Sequence, residues 1–132
     1  MAPSPTSRSL QWLRDEGYDP AVVEVWNRFA PRPGGGRGIR QDLYNFADII
    51  AFRPGARRPI KDILLVQTTS YSCVSARKKK ILAEPRALGW LQAGGTIDIH
   101  GWHKKPLKKG GRAVWQVRIV HITETDFKEE TK

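Results

Sequence analysis

Asp48 stands between Ala47 and Ile49 in the run Ala47-Asp48-Ile49-Ile50-Ala51-Phe52. A carboxylate buried in such a run without partners is costly, so its presence there asks for a chemical reason. A second polar side chain, Gln67, interrupts the next apolar run, Ile63-Leu64-Leu65-Val66-Gln67-Thr68-Thr69. Adjacent strands of a hairpin can set one such residue from each side by side. Metal-assisted phosphodiester cleavage needs clustered oxygen ligands for Mg²⁺ or Mn²⁺, and it profits from a cation beside the reacting phosphate. Asp48 and Gln67 are the pair whose types and spacing suit that chemistry.

The elements that must position them follow from local pattern. Residues 1–7 form a Pro/Ser-rich lead, expected to be mobile. Thr6 or Ser7 caps a short helix to about Glu16, with Leu10, Leu13 and Trp12 toward the core and Gly17 as its stop. Residues 21–26 are β-branched and aromatic and predict a strand, with a helix capped by Asp19-Pro20 as the alternative. Residues 31–38 form a basic Gly-rich loop. It lacks the Gly-Lys-Ser/Thr ending of a phosphate-cradling loop, and reads as a mobile segment able to touch a phosphate backbone. Strands over 47–52 and 63–69, joined through a turn at Pro54-Gly55, make a hairpin. Residues 72–92 are helical with a break at Glu84-Pro85, and the strand 96–102 leaves the glycine stop at Gly94-Gly95. Residues 104–112 form a basic turn, 113–123 a last alternating strand, and the charged segment 124–132 is expected to fray. One domain over 8–123 results, of α/β class, with the order α-β-β-β-α-β, an extra C-terminal strand and a mixed central sheet flanked by helices.

Charge speaks to partners. Against 13 acids stand 23 lysines and arginines, a net charge of +10 over 132 residues. Such an excess attracts polyanions and releases their counterions, which favours nucleic acid. No basic amphipathic helix with an apolar face, no apolar run of membrane-spanning length and no secretion signal stand out, so no membrane partner is expected. A single cysteine, Cys73, leaves no internal disulfide and suits a reducing cytoplasm. His100 and His103 with a distant Cys73 fall short of a zinc site. The five tryptophans suit core or strand packing, with stacking on bases open to one or two of them.

In this order of elements, Phe46-Ala47-Asp48 followed by Gln67-Thr68-Thr69 resembles the motif of the PD-(D/E)xK nuclease superfamily. The helix carrying Arg77 to Lys80, its end at Trp90-Leu91-Gln92-Ala93-Gly94-Gly95 and the strand behind it are similar to the small Holliday-junction-resolvase-like members from phages and archaea. The likeness covers about residues 9–102. It implies a restriction-endonuclease-like core and a Mg²⁺- or Mn²⁺-dependent endonuclease acting on DNA, branched DNA included, as a homodimer. It also implies Asp48 and Gln67 at the metal, Thr69 lining the site, Glu24 or Asp42 as a second carboxylate, and Arg77, Lys78 and Lys80 on the scissile phosphate. Arg37 and Arg40, and a second basic patch of Lys104, Lys105 and Lys108, are candidate backbone contacts. Asp15 and Glu16, late in the first helix, are the nearest counterparts of the family's helix-borne acid.

The departure is specific. Gln67 replaces the family's glutamate and Thr69 its lysine; a hydroxyl orders water but carries no positive charge, which leaves Arg77 or Lys78 to supply it. Plainer readings stand beside these: Gln67 as a simple hydrogen-bond partner, Glu24 and Asp42 as surface ion pairs, the run 77–80 as a solvated helix face. At the level of function, the alternatives are a catalytically silent nucleic-acid-binding protein on the same fold, and a basic structural protein of a phage or nucleoprotein particle.

Overall fold

The computed structural model describes residues 4–32, 34–54 and 63–130. The first helix, α1 (Pro5–Asp15), starts earlier than its pattern predicts. Its cap is Ser4, whose hydroxyl accepts from the Ser7 amide at 3.1 Å, and Pro5 fits the first turn because it has no amide to satisfy. The expected mobile lead is therefore helical from residue 5, and Thr6 is free for another task. Gly17, at φ +92°, ends the helix.

The predicted strand over 21–26 is two strands, β1 (Asp19–Val22) and β2 (Val25–Pro31), divided at Val23-Glu24. β2 pairs with β3 (Arg37–Gln41) as a separate two-stranded hairpin. The segment 31–38 expected as a loop is thus the tip and outer strand of that hairpin; residue 33 lies outside the described residues. β4 (Ile49–Phe52) and β5 (Ile63–Ser70) pair antiparallel, as their patterns predict. Asp48, however, lies at a bend just before β4 rather than inside it. Of the turn between them, residues 55–62 are outside the described set.

The long helical stretch begins with a single 3₁₀ turn, Tyr71–Cys73, and divides into α2 (Val74–Leu82) and α3 (Pro85–Gln92). Glu84 caps α3 by accepting from the Arg86 amide at 3.0 Å, so the break falls where Pro85 requires it. This crossover delivers β6 (Thr96–Pro106) parallel to β5, and β7 (Ala113–Ile122) returns antiparallel. β6 runs through the lysines 104 and 105, so the basic turn is shorter than its composition predicts. The C-terminal segment, expected to fray, forms α4 (Glu124–Glu130), held by the burial of Phe127.

The molecule is α/β, with a mixed sheet ordered β1-β4-β5-β6-β7 between helical layers. Leu64 and Val66 of β5 join Ile49, Ala51 and Leu13 beneath α1. Leu65 alternates to the other face and packs with Val74, Ile81, Ala87, Ile97, Ile99, Ile122 and Phe127 under α2, α3 and α4. The near-continuous apolar run of β5 follows from burial on both faces. Among the described residues, no helix is long and apolar enough to cross a membrane.

Candidate metal centre

The β4–β5 register, Ile49 opposite Val66, sets Asp48 opposite Gln67 one step further along. The Gln67 amide Nε2 donates to Asp48 Oδ2 at 2.8 Å. Thr68 donates twice to the same oxygen, from its backbone amide at 2.8 Å and its hydroxyl at 3.0 Å. The Thr68 hydroxyl has one proton, given to Asp48, so the 2.9 Å contact with Thr6 Oγ1 is a bond donated by Thr6. The start of α1 is thereby tied to the carboxylate.

Asp48 and Asp42 are brought together by a tight turn. Leu43 and Ala47 exchange two backbone bonds of 2.9 Å, with Tyr44 and Asn45 both at positive φ. Such backbone is uncommon for residues other than glycine, and its cost must be met by surrounding contacts. Those contacts are visible: Asn45 Nδ2 donates to Glu84 Oε1 at 3.3 Å, and the Arg86 guanidinium lies 5.0 Å from the centre of the Tyr44 ring. Glu24 arrives from the other side, at the break between β1 and β2. Carboxylate oxygens of Glu24, Asp42 and Asp48 all lie within 4.8 Å of one another.

These groups line a cleft of about 430 Å³ together with Pro5, Thr6, Gln67, Thr68, Thr69, Ser70, Cys73 and Arg77. Burial, with Asp42 adding repulsion, pushes the Asp48 carboxyl up to about 7 against the pull of the Thr68 amide. Two acids have cationic neighbours: Arg40 Nη1 is 3.2 Å from Glu24 and Lys80 Nζ is 3.8 Å from Asp42. Both cations are exposed, and pairs of that kind are worth about 0–1 kcal/mol, so a divalent ion can displace them. Gln67 Oε1 is buried and has no hydrogen-bond partner among the described residues, since Nε2 is committed to Asp48 and to the Thr68 carbonyl. The three carboxylates form an all-oxygen donor set, of the kind that suits hard cations rather than zinc, with Gln67 holding Asp48 through its amide nitrogen.

Asp48, Gln67, Thr69, Glu24 and Asp42 thus share one cleft, with Arg77 on its wall and Lys80 at Asp42. Lys78 does not line it; its ammonium sits 3.3 Å from Asp126 and anchors α4. Arg40 lies at the foot of the β2–β3 hairpin and Arg37 at its outer end. Ser70 pairs with Trp102, so Lys104, Lys105 and Lys108 extend past the same end of the sheet as the cleft. Asp15 takes a bond from Gln11 on the exposed side of α1 and is not part of the cleft. His100 is buried against Ser9 Oγ at 2.9 Å, and His103 stacks on Tyr71, so neither is drawn into a ligand set. Thr68 and Thr6 were not legible as site residues. Strand alternation assigns Thr68 to the face opposite Gln67, and only the bend at Asp48 brings the carboxylate to its amide. The chain matches no protein-family model, no curated protein and no solved structure.

Proposed function

We propose that this chain is a divalent-metal-dependent endonuclease of PD-(D/E)xK type that cleaves DNA, branched DNA included. The observation that carries the reading is the pairing of Asp48 with Gln67 at 2.8 Å in a cleft where Glu24 and Asp42 supply further carboxylate oxygens. The antiparallel β1, β4 and β5 followed by a helical crossover to the parallel β6 support it, because that is the α-β-β-β-α-β order of the superfamily. Bound at these oxygens, Mg²⁺ or Mn²⁺ supplies polarisation of a phosphate oxygen and a water acidified for attack.

The chain's own groups do the rest. Asp48, Asp42 and Glu24 would hold the ion, and Gln67 steadies Asp48 through its amide. Thr68 and Thr6 fix the Asp48 carboxylate. Thr69 orders water at the cleft, and Arg77 meets the phosphate charge in place of the missing lysine. Lys80, released from Asp42, and the lysines at 104, 105 and 108 steady the flanking backbone. A two-fold dimer presents paired clefts to a symmetric four-way junction.

The test is incubation with four-way, flap and linear DNA, with and without Mg²⁺ or Mn²⁺. Cleavage is expected only with the cation, and Asp48→Ala is expected to lower its rate on the order of 10³-fold. Cleavage that survives the substitution removes the site. One observation favours a second reading, nucleic-acid binding without cleavage: Thr69, not a lysine, stands where the motif's cation belongs. That reading predicts salt-sensitive binding and intact DNA in every divalent cation.

A further inference from the structure

Glu24 and Asp42 are the residues immediately before and after the β2–β3 hairpin, so the hairpin is an arm rooted on two of the three carboxylates. From Val25 to Gln41 it carries four arginines, Arg28, Arg32, Arg37 and Arg40, and no acid. Among the described residues it pairs with no strand of the main sheet. On it, Trp26 and Phe29 are 56% and 68% exposed; Trp26 rests on Gly38 with the Arg32 guanidinium 6.0 Å from its ring centre, so a base reaches either ring beside an arginine rather than on a bare face.

The arm is preformed. Trp26 lies so close on Gly38 that no side chain fits there, and Gly38 has φ +108°. Arg32 closes the tip by donating to the Gly38 carbonyl at 3.1 Å and the Arg37 carbonyl at 3.2 Å. Asn27 Oδ1 accepts from the Phe29 amide at 3.0 Å, beside an irregularity in the pairing between Asn27 and Pro31. The Arg28 guanidinium lies 4.9 Å from the centre of the Phe29 ring.

We propose that this hairpin engages DNA by stacking unpaired bases on Trp26 and Phe29, so that the protein selects branch points and strand ends and holds them beside the carboxylate cleft. Aromatic faces with arginines around them bind bases irrespective of sequence. A second copy of the chain is the poorer occupant, because docking this arm on itself brings its four arginines against four more in a protein already at net charge +10. Phe29 is five residues from Glu24, at most about 17 Å along the strand, so a base stacked there lies within about five nucleotides of the cleft. The proposal rests on the nuclease reading for the identity of the polyanion, not for cleavage itself.

Binding of the native chain in EDTA is measured by fluorescence anisotropy on a forked duplex, a four-way junction and a linear duplex of equal length. A 2-aminopurine at the fork reports stacking. Phe29→Ala, which removes only an exposed ring, and Trp26→Ala/Phe29→Ala are expected to weaken fork and junction binding about tenfold or more and linear binding less than twofold. Phe29→Tyr is expected to retain the preference and the 2-aminopurine signal. Unchanged fork binding in the double variant, or equal losses on fork and linear DNA, overturns the proposal. So does conversion of a dimer to a monomer by Phe29→Ala in sedimentation, which makes the face a contact between copies. Ring-dependent fork binding with no cleavage in Mg²⁺ or Mn²⁺ sinks the nuclease reading and leaves the arm standing. Metal-dependent cleavage with fork binding indifferent to the rings does the reverse.

Discussion

Asp48 couples metal binding to protons. Its carboxyl, held up to about 7 by burial, must lose its proton to accept an ion, so affinity for Mn²⁺ is expected to rise about tenfold per unit as pH increases toward that value and to level off above it. A calorimetric titration series across this range checks the slope; a flat profile removes Asp48 from the ligand set. The same shift fixes a stability effect. Between the ordinary carboxylate range and about 7 the folded chain keeps a proton that the unfolded chain has lost, so this group's contribution falls as pH rises and is most unfavourable above that window. Asp48→Asn, without metal, is therefore expected to melt higher than the native protein at about pH 8, by on the order of 2–4 kcal/mol, and to converge with it near about pH 4. The reverse order in a melting scan contradicts the burial argument. Asp48 and Gln67 were legible because each breaks an apolar run. Glu24 and Asp42 were legible only as acids, since their ion pairs with Arg40 and Lys80 are what a plain surface reading also predicts.

Elements bring the site together through features that carry weak sequence signals. The turn from Leu43 to Ala47 uses left-handed Tyr44 and Asn45 with no glycine to announce it. The β2–β3 hairpin hides in a segment whose proline and glycine content suggests a loop, and the break at Val23-Glu24 falls inside a continuous β-like run. The long strands and the Glu84-Pro85 break were legible, because apolar runs and a helix-breaking proline act locally. The C-terminal helix depends on a distant contact, Phe127 in the core under α2 and α3, which charge content alone conceals. Phe127→Ala is expected to cost on the order of 3 kcal/mol in chemical denaturation. Gly101 is a second test of packing. An added Cβ there runs into Val74 at the start of α2, so Gly101→Ala is expected to destabilise by about 1–3 kcal/mol. An unchanged denaturation midpoint contradicts the close seating of that helix on β6.

Over the whole molecule, the excess of 23 basic over 13 acidic residues was legible from composition, and the fold gives part of it a direction. The foot of the hairpin, Arg77 and Lys80 surround the cleft, and the lysines beyond Trp102 extend past the same end of the sheet. Replacing Lys104, Lys105 and Lys108 with Gln is expected to flatten the dependence of log affinity on log salt by about one to three units while sparing metal binding. A changed metal affinity in that variant indicates that these lysines act on the cleft itself. Whether the Glu24–Asp42–Asp48 cleft binds a divalent ion is read from calorimetric titration of Mn²⁺ into the native protein, Asp48→Asn and Glu24→Gln at about pH 8. The native chain is expected to show one binding event that Asp48→Asn abolishes and Glu24→Gln weakens. Equal heats and affinities in all three proteins contradict it.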